Sequence, residues 1–495
     1  MSEQTIPAIP RTTWLALAVL LSGAFMALLD TTIVNVALPT IRTDLNASES
    51  TLSWIISGYA LAFGLMLIPA GRVGDRYGQK WIFIVGLSIF TASSVACGLA
   101  QTSNQLVAAR VVQGLGGGIF YTSINALIQL MFPPQVRGKA FGILAAVIGF
   151  ATALGPLVGG VIIELAGESG WRLIFGVNLP IGIVALIAAV RLLPAGGNSD
   201  RLAVDPLGLL LFSTGLVALL VPLILGEDHG WPLWTYLSLA VSAVLFVVFA
   251  FWEKQVARVG GAPLVPPRLF AYRSFTGGVV LALVYFAAFT SVFFTLSLLW
   301  QAGLGHSALQ SGLLVMPFAV GSIIGATQSD KLASRYGRAA LNVGLALVTA
   351  GLAVTLIMLW VAPISSLKWW YFLPSLLVAG TGSGLFIAPN VRLIVATVAR
   401  EDAGAASGVL GTMQRIGSAV GIAIIGSVLF GTLHIGAGPN ALAEAFVHSA
   451  SLAMGCSVLL SFAALVIGIL LERQTATSAN ASTAAVSSHA PVSKS

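Results

Sequence analysis

Fourteen apolar runs, parted by short polar breaks, follow one another along the chain at approximately 12–38, 50–70, 81–100, 105–131, 139–166, 171–193, 206–226, 233–252, 275–300, 308–329, 339–361, 370–393, 405–431 and 447–471. A hydrocarbon core of about 30 Å takes about 20 helical residues to cross, so each run is long enough to span a bilayer. The pattern predicts an all-α polytopic membrane protein with fourteen transmembrane helices. Polar positions inside the runs are few and periodic. In the first run Ser22, Met26 and Asp30 recur at i, i+4 and i+8 beside a second pair, Thr31 and Asn35, giving one broad polar-tolerant side expected to face a cavity. In the fourth, Arg110, Gln113, Gly117, Tyr121, Asn125 and Gln129 advance by three or four residues and trace one continuous polar stripe. The runs at 206–226 and 233–252 are nearly apolar all round and are expected to be lipid-facing or packing helices without a substrate role.

Composition supports the pattern. The 495 residues are 57% hydrophobic and 8% charged, with mean hydropathy +0.96, whereas a soluble domain carries roughly 25% charged residues. A net charge of +7 would suit an acidic partner, but the placement of the cations argues for topology instead. With the amino terminus inside, all but five of the 24 Lys and Arg fall on cytoplasmic loops and tails; Arg42, Arg172 and Lys368 fall outside, and Arg110 and Arg415 lie within helices. This asymmetry puts both termini in the cytoplasm and argues against nucleic-acid binding. The first run is too long for a signal-peptide core and carries a carboxylate, so it is read as uncleaved. Cys97 and Cys456 lie within predicted helices, so no disulfide framework is expected. His229, His306, His434 and His448 fall on or near external loops and His489 in the tail, without metal-ligand spacing, so no metal site is expected. The chain has no Gly-x-x-x-x-Gly-Lys-[Ser/Thr] phosphate loop, which leaves an ion gradient as the energy source and no cofactor.

Asp30 is the clearest candidate for chemistry. An ionised Asp at the centre of a membrane helix costs roughly 2.5–3.5 kcal/mol even on the lenient insertion scale, and such residues face a partner or a wet cavity; snorkelling to water from near the outer helix end, or static pairing with a cation, is the alternative. Counting along the helices puts Arg110 at about the same depth, so the two are expected to communicate, directly or through Gln113. Aromatic and methionine side chains of the ninth and tenth runs, among them Tyr285, Phe286, Phe289, Phe293, Phe294, Trp300 and Met316, suit apolar or cationic aromatic ligands, although core or lipid packing explains any one of them. The expected substrate cavity comprises Met26, Asn35, Gln113, Tyr121, Asn125, Tyr285, Phe289 and Arg415. For Arg415 a second role, as a ligand of helix-end carbonyls, stays open.

Three motifs carry more specific information. Between the second and third runs the chain reads Gly71-Arg-Val-Gly-Asp-Arg-Tyr-Gly-Gln-Lys80; two short-spaced glycines among Gly71, Gly74 and Gly78 permit a tight turn at a helix end, and Asp75 beside Arg72, Arg76 and Lys80 can pair across neighbouring helix ends. The fourth run carries Arg110-Val-Val-Gln-Gly-Leu-Gly-Gly-Gly118, whose glycines have no preceding strand and suit close helix packing better than a dinucleotide site. The fifth carries Gly155-Pro-Leu-Val-Gly-Gly160, in which Pro156, Gly159 and Gly160 thin the helix and permit a close contact, mobile or static. The first of these resembles the signature loop of the major facilitator superfamily. The Arg-x-x-Gln-Gly of the fourth run and the Gly-Pro-x-x-Gly-Gly of the fifth are similar to that family's helix-4 and antiporter motifs, and Trp171-Arg172 with Asn178-Leu-Pro-Ile-Gly182 resembles its fourteen-helix exporters. The resemblance implies that Asp75 and Arg76 latch the two halves on the cytoplasmic side, that Arg110 takes part in proton coupling, and that the protein exports rather than imports.

A long-period repeat supports the same architecture. Ser334-Arg-Tyr-Gly-Arg338 echoes Asp75-Arg-Tyr-Gly-Gln79, Gly380-Thr-Gly-Ser-Gly-Leu-Phe386 echoes Gly114-Leu-Gly-Gly-Gly-Ile-Phe120, and Gly404-x-Ala-x-Gly408 echoes Gly138-x-Ala-x-Gly142. Two parallel six-helix bundles are predicted, with a two-helix insertion: residues 1–194, an inserted pair with its linker at 195–273, 274–473, and a disordered Ser-, Ala- and Thr-rich tail at 474–495. The alignment sets Ser334 against Asp75, Leu376 against Arg110 and Arg415 against Gly149, with only Thr290 near the counterpart of Asp30, which concentrates the ionisable machinery in the first half.

The expectation is therefore a secondary carrier of the fourteen-helix drug and proton antiporter branch, working as a monomer in a bacterial-type inner membrane. Its partners are the lipid bilayer, protons and lipophilic small molecules, cationic or aromatic. The rivals are a dedicated exporter of one endogenous metabolite, antibiotic or lipid, and a carrier-like receptor or enzyme. The absence of a nucleophile-base pairing or metal-ligand cluster counts against the enzyme.

Overall fold

The computed structural model describes residues 9–47, 49–195, 205–226, 230–361, 367–396, 398–399 and 402–487. The arm before residue 9, most of the 195–205 connection, His229 and residues 488–495 lie outside the described residues. The elements among the described residues are helices: α1 (Arg11–Leu45), α2 (Glu49–Tyr77), α3 (Gln79–Gly98), α4 (Ser103–Met131), α5 (Pro134–Ala166), α6 (Gly170–Gly176), α7 (Asn178–Leu192), α8 (Pro206–Leu225), α9 (Leu233–Arg258), α10 (Arg268–Ala271), α11 (Arg273–Leu298), α12 (Ala308–Tyr336), α13 (Ala339–Val361), α14 (Leu373–Ala396), α15 (Ala403–Gly431) and α16 (Ala441–Ser487).

Fourteen of these stretches are long and apolar enough to cross a membrane, with α6 and α7 together forming one. The break between that pair comes at Val177, where Pro180 has no N–H to offer the Gly176 carbonyl. Several helices outrun their apolar cores, α1 to Leu45, α2 to Tyr77 and α12 to Tyr336, because Arg, Asp and Ser at a helix end reach water without breaking the backbone ladder. A π-helical turn, Leu299–Gly303, extends α11. α16 continues to Ser487, through an Ala-rich stretch that contains neither Gly nor Pro.

The spans form two six-span bundles. In the first, α2 and α3 flank α4, and α1 packs on α5 and α7; in the second, α12 and α13 flank α14, and α11 packs on α15 and α16. The glycine repeat is a packing repeat. A side chain on Gly114 or Gly118 would run into the α2 carbonyls of Tyr59 or Phe63, and one on Gly116 into the α3 backbone at Phe90. Their counterparts Gly380 and Gly384 lie in the same way on the α12 carbonyls of Phe318 and Ser322, and Gly382 on the α13 carbonyl of Gly344. Small residues let the helix backbones touch where apolar burial alone gives no drive within lipid.

Two main seams join the bundles among the described residues, α5 against α12, with α14 beside it, and α2 against α15, with α4 beside it. Gly142 lies on the Ala326 carbonyl and Gly408 on the Leu67 carbonyl, so these repeat glycines each face the opposite bundle. The inserted pair, α8 and α9, pack on each other, and α8 bridges α2 and α15 across that second seam. Trp231 Nε1 ties it to Ser427 Oγ at 3.1 Å.

Candidate functional site

Asp30 sits in the middle of α1 and is wholly enclosed. Its Oδ2 accepts from Arg110 Nη1 at 2.5 Å, and its Oδ1 accepts from Gln113 Nε2 at 2.9 Å and from Asn178 Nδ2 at 3.0 Å. The carboxylate is thus tied to α4 and α7. Arg110, 1% exposed, is satisfied around the pair: Nε donates to the Ile55 carbonyl, Nη1 also to Gln113 Oε1, and the guanidinium lies 4.1 Å from the Tyr59 ring. Tyr59 in turn donates to the Ala27 carbonyl at 3.2 Å, and Asn178 to Ser94 Oγ. A buried ion pair persists only with hydrogen bonds of this kind on the remaining lone pairs and protons; removing one partner costs about 3–5 kcal/mol.

The expected meeting of Asp30 and Arg110 is present, with Gln113 bonded to both. The expected direction of the face is not. Asp30 and Met26 are both 0% exposed and turn into the first bundle, whereas Asn35 is exposed and bonds weakly to the Thr31 carbonyl at 3.4 Å. Helical spacing shows which residues share a strip; which strip meets protein is decided by the neighbouring helices. Asn178 and Ser94 were missed as partners because nothing local in the sequence brings α3 and α7 to α1.

The 71–80 segment forms a junction at the basic end of the molecule. Gly78, at φ +97°, makes the turn into α3, while Gly71 and Gly74 lie within α2, so one glycine makes the turn expected of a short-spaced pair. Asp75 Oδ2 accepts from the Ala405 N–H at 3.2 Å, at the start of α15, where unpaired N–H groups and the helix dipole favour an anion. Gln79 steadies it from the other side at 2.9 Å. The cation that crosses the seam is Arg72 and not Arg76: Arg72 Nη1 is 3.5 Å from Asp402 Oδ1, and its other nitrogens donate to the Pro263 carbonyl. Arg76 lies over the ring of Tyr77 at 5.0 Å. Arg268 completes the junction on Asp402 at 2.8 Å.

The second half has a matching junction one turn away from where sequence alignment put it. Asp330 of α12, rather than Ser334, lies against Gly138 in the first turns of α5, and Arg392 holds it at 2.7 Å.

In α5, Gly155 and Gly159 abut Thr32 and Ile33 of α1. Pro156 and Gly160 turn to the second bundle, where Gly312 and Leu309 of α12 meet them. The helix remains continuous through Pro156.

Of the expected cavity residues, Tyr121, Asn125, Phe289 and Arg415 are half-buried, and Gln113 belongs to the ion pair. Tyr285 is buried inside the second bundle and donates to Ser383 Oγ at 2.6 Å. Phe289 stacks on Tyr285 and packs edgewise on Phe293, with Phe318 at 5.6 Å. Arg415 reaches out of the second bundle and places its guanidinium 4.1 Å from the ring of Phe63 in α2, which itself packs on Tyr121 at 5.5 Å.

Comparison with known proteins extends these observations. The chain is 38% identical over 85% of its length to the "Probable actinorhodin transporter" of Streptomyces coelicolor, covering 73% of that protein. It is 32% identical to the "Methylenomycin A resistance protein" of Bacillus subtilis, over 94% of this chain and 96% of that one. Among solved structures, the proton:xylose symporter XylE superposes with a TM-score of 0.62 at 14% identity, over 90% of this chain and 94% of that one, a likeness of fold. The sequence profile of the Major Facilitator Superfamily matches residues 20–422. With two six-span bundles, an inserted helix pair and this match over most of its length, the chain is a membrane transporter, not an enzyme, and belongs to the Major Facilitator Superfamily in its fourteen-helix form.

Proposed function

We propose that the protein is a proton-driven exporter of lipophilic, ring-bearing small molecules, moving protons inward and substrate outward by alternating access. The observation that carries this reading is the enclosed Asp30, held by Arg110, Gln113 and Asn178 in the core of one bundle. A carboxylate so placed is stable as a charge only while its donors stay in position, and a proton arriving on Oδ2 removes the attraction that holds Arg110. Protonation then frees α1 from α4 and α7. Thr32 and Ile33 lie two and three residues along α1 and rest on Gly155 and Gly159, whose neighbours Pro156 and Gly160 touch α12. The proton's arrival is thereby linked to the seam across which the bundles rock. The Asp75 and Asp402 junction is the cytoplasmic latch of the outward-open state, with both termini on that side, in a bacterial-type inner membrane. Export accords with relatives named for resistance to methylenomycin A, puromycin and tetracenomycin C. Several of those names specify single antibiotics, which favours narrow specificity as the second reading.

The test is flux in proteoliposomes under an imposed pH gradient, with a panel of lipophilic dyes. Wild-type protein moves dye against its gradient only while the pH gradient lasts. Asp30→Asn abolishes the pH-driven component and retains dye binding. Undiminished pH-driven flux in Asp30→Asn would remove Asp30 from the mechanism.

A further inference from the structure

Arg415 is the second intramembrane cation of this protein, and it is built differently from the first. It lies twelve residues into α15, roughly 18 Å from the helix start at about 1.5 Å per residue, which puts it near the middle of the span. Among the described residues it makes neither a hydrogen bond nor an ion pair; its contact is the face of Phe63 at 4.1 Å. The remaining acidic side chains of the spans do not reach this level. Asp75, Glu164, Glu253, Asp330, Glu444 and Glu472 all lie within two turns of a span's end. Asp30, the mid-span exception, is closed off inside the first bundle by its own donors.

The surroundings of Arg415 are aromatic and belong to the other bundle. Gly417, two residues on and therefore on the opposite side of α15, packs on Leu283 of α11, so Arg415 points away from its own bundle and toward α2 and α4. Leu220 of α8 and the Cβ of Arg415 both flank Gly64, so the inserted helix closes the seam beside the cation. Phe63 and Tyr121 form an aromatic wall at 5.5 Å from each other, and Tyr121 and Asn125 remain half-buried one turn apart on α4. An aromatic face lowers the cost of a membrane cation but leaves its five N–H donors in a planar fork, the geometry that matches a carboxylate.

We propose that the exported compound is an aromatic acid whose carboxylate docks on Arg415 while its rings lie against Phe63 and Tyr121. The inference rests on the reading of the protein as an exporter and reverses the charge sign that the aromatic side chains alone suggest. A mid-span site with an unneutralised cation and no accessible carboxylate repels an amine and attracts an acid. Binding of the acid also neutralises Arg415 at the α2 and α15 seam, which makes occupancy of the site felt by both bundles.

The experiment uses three matched probes, pyrenebutyrate, pyrenebutanol and pyrenebutylamine, with purified protein in zwitterionic nanodiscs and empty discs as the partition control. Wild-type protein is expected to bind the butyrate roughly tenfold tighter than the butylamine, a difference of about 1.4 kcal/mol. Arg415→Gln brings the butyrate down to the level of the butanol and leaves the butanol unchanged, and Arg415→Lys keeps part of the preference. The butyrate methyl ester on wild-type protein makes the same test without a mutation: it is expected to bind like the butanol. Equal or tighter binding of the butylamine, an ester that binds as well as the acid, or an Arg415→Gln variant that weakens all three probes alike would overturn the proposal. Pyrenebutyrate flux under a pH gradient separates this idea from the export reading. Charge-selective binding without any driven flux defeats the exporter and sustains the anion site; driven flux that is indifferent to probe charge does the reverse.

Discussion

At the scale of single residues, the proposed proton coupling acts through Asp30 and Arg110, whose ion pair ties several helices together. Their partners come from α1, α2, α4 and α7, so any change in the pair is felt by most of the first bundle. Arg110→Ala deletes the positive charge paired with Asp30 and is expected to change the pH profile of substrate binding. The double variant with Asp30→Asn is expected to match Asp30→Asn alone. Independent, additive effects of the two changes on that profile would show that Arg110 acts as a scaffold for the Ile55 carbonyl and Gln113 rather than on the carboxylate. Both variants lose stability, by about 3–5 kcal/mol for the removal of one member of a buried pair, so the profile is to be compared at temperatures where each remains folded. The meeting of these two residues was legible in the sequence because depth along a membrane helix is counted at a fixed rise per residue. The closing bonds from Asn178 and Ser94 were not, because they depend on how α7 is rotated against α3 and α1, which periodicity within one helix does not specify. Met26 illustrates the same limit from the other side: it shares a strip with Asp30, and that strip is buried in protein.

At the scale of elements, glycine placement does most of the positioning. The run Gly114 to Gly118 reads in sequence as close packing, and both of its flanks are used, α2 by Gly114 and Gly118 and α3 by Gly116. In the 71–80 segment short-spaced glycines signal a tight turn, but of Gly71, Gly74 and Gly78 only Gly78 has the positive φ that needs a glycine. The antiporter-type run in α5 carries a further expectation. A methyl group on Gly155 would overlap the Thr32 hydroxyl, and one on Gly159 would press on Ile33, so either substitution forces α1 and α5 apart two or three residues from Asp30. Gly155→Ala and Gly159→Ala are therefore expected to lower pH-driven flux severalfold while leaving charge-selective probe binding at Arg415 within about twofold, because that site lies on α15, α2 and α4. A parallel loss of binding and flux would indicate that the run only holds the bundle together. The opposite substitution on α1, Thr32→Ala, removes the obstructing hydroxyl. Restored flux in the Thr32→Ala and Gly155→Ala pair would locate the effect at this contact.

At the scale of the whole molecule, the two seams between the bundles are built alike. At one, Asp75 near the end of α2 meets the start of α15; at the other, Asp330 near the end of α12 meets the start of α5. The correspondence was hidden in the sequence because the matching Arg-Tyr-Gly segments set Ser334 opposite Asp75, whereas the carboxylate that fills the place is one turn earlier and is held by a different cation, Arg392. The six-span repeat and the inserted pair, by contrast, were plain from the spacing of apolar runs and glycines, since both features recur over whole helices. On the proposed cycle, each seam carries one latch, and opening toward the cytoplasm requires both to yield. Each carboxylate sits at the N-terminal turns of a helix in the other bundle, an arrangement worth about 0.3–1 kcal/mol where exposed and up to about 2 kcal/mol where partly buried. Asp75→Asn or Asp330→Asn alone is therefore expected to shift the population toward the inward-open form by no more than a modest factor, because the other seam continues to hold. The Asp75→Asn and Asp330→Asn double variant is expected to shift it by about the product of the single effects, because one rigid-body opening breaks both contacts and their energies add; the readout is cytoplasmic accessibility of a cysteine introduced at Gly142, which lies against α12. Accessibility at Gly142 that ignores Asp75→Asn, alone or in the pair, would mean that the seams open independently and that the bundles do not move as rigid bodies. If Asp330→Asn has no effect by itself or in the pair, the rocking motion is governed from the α2 and α15 side alone, and the likeness of the two seams is a relic of the repeat without a present role in the cycle.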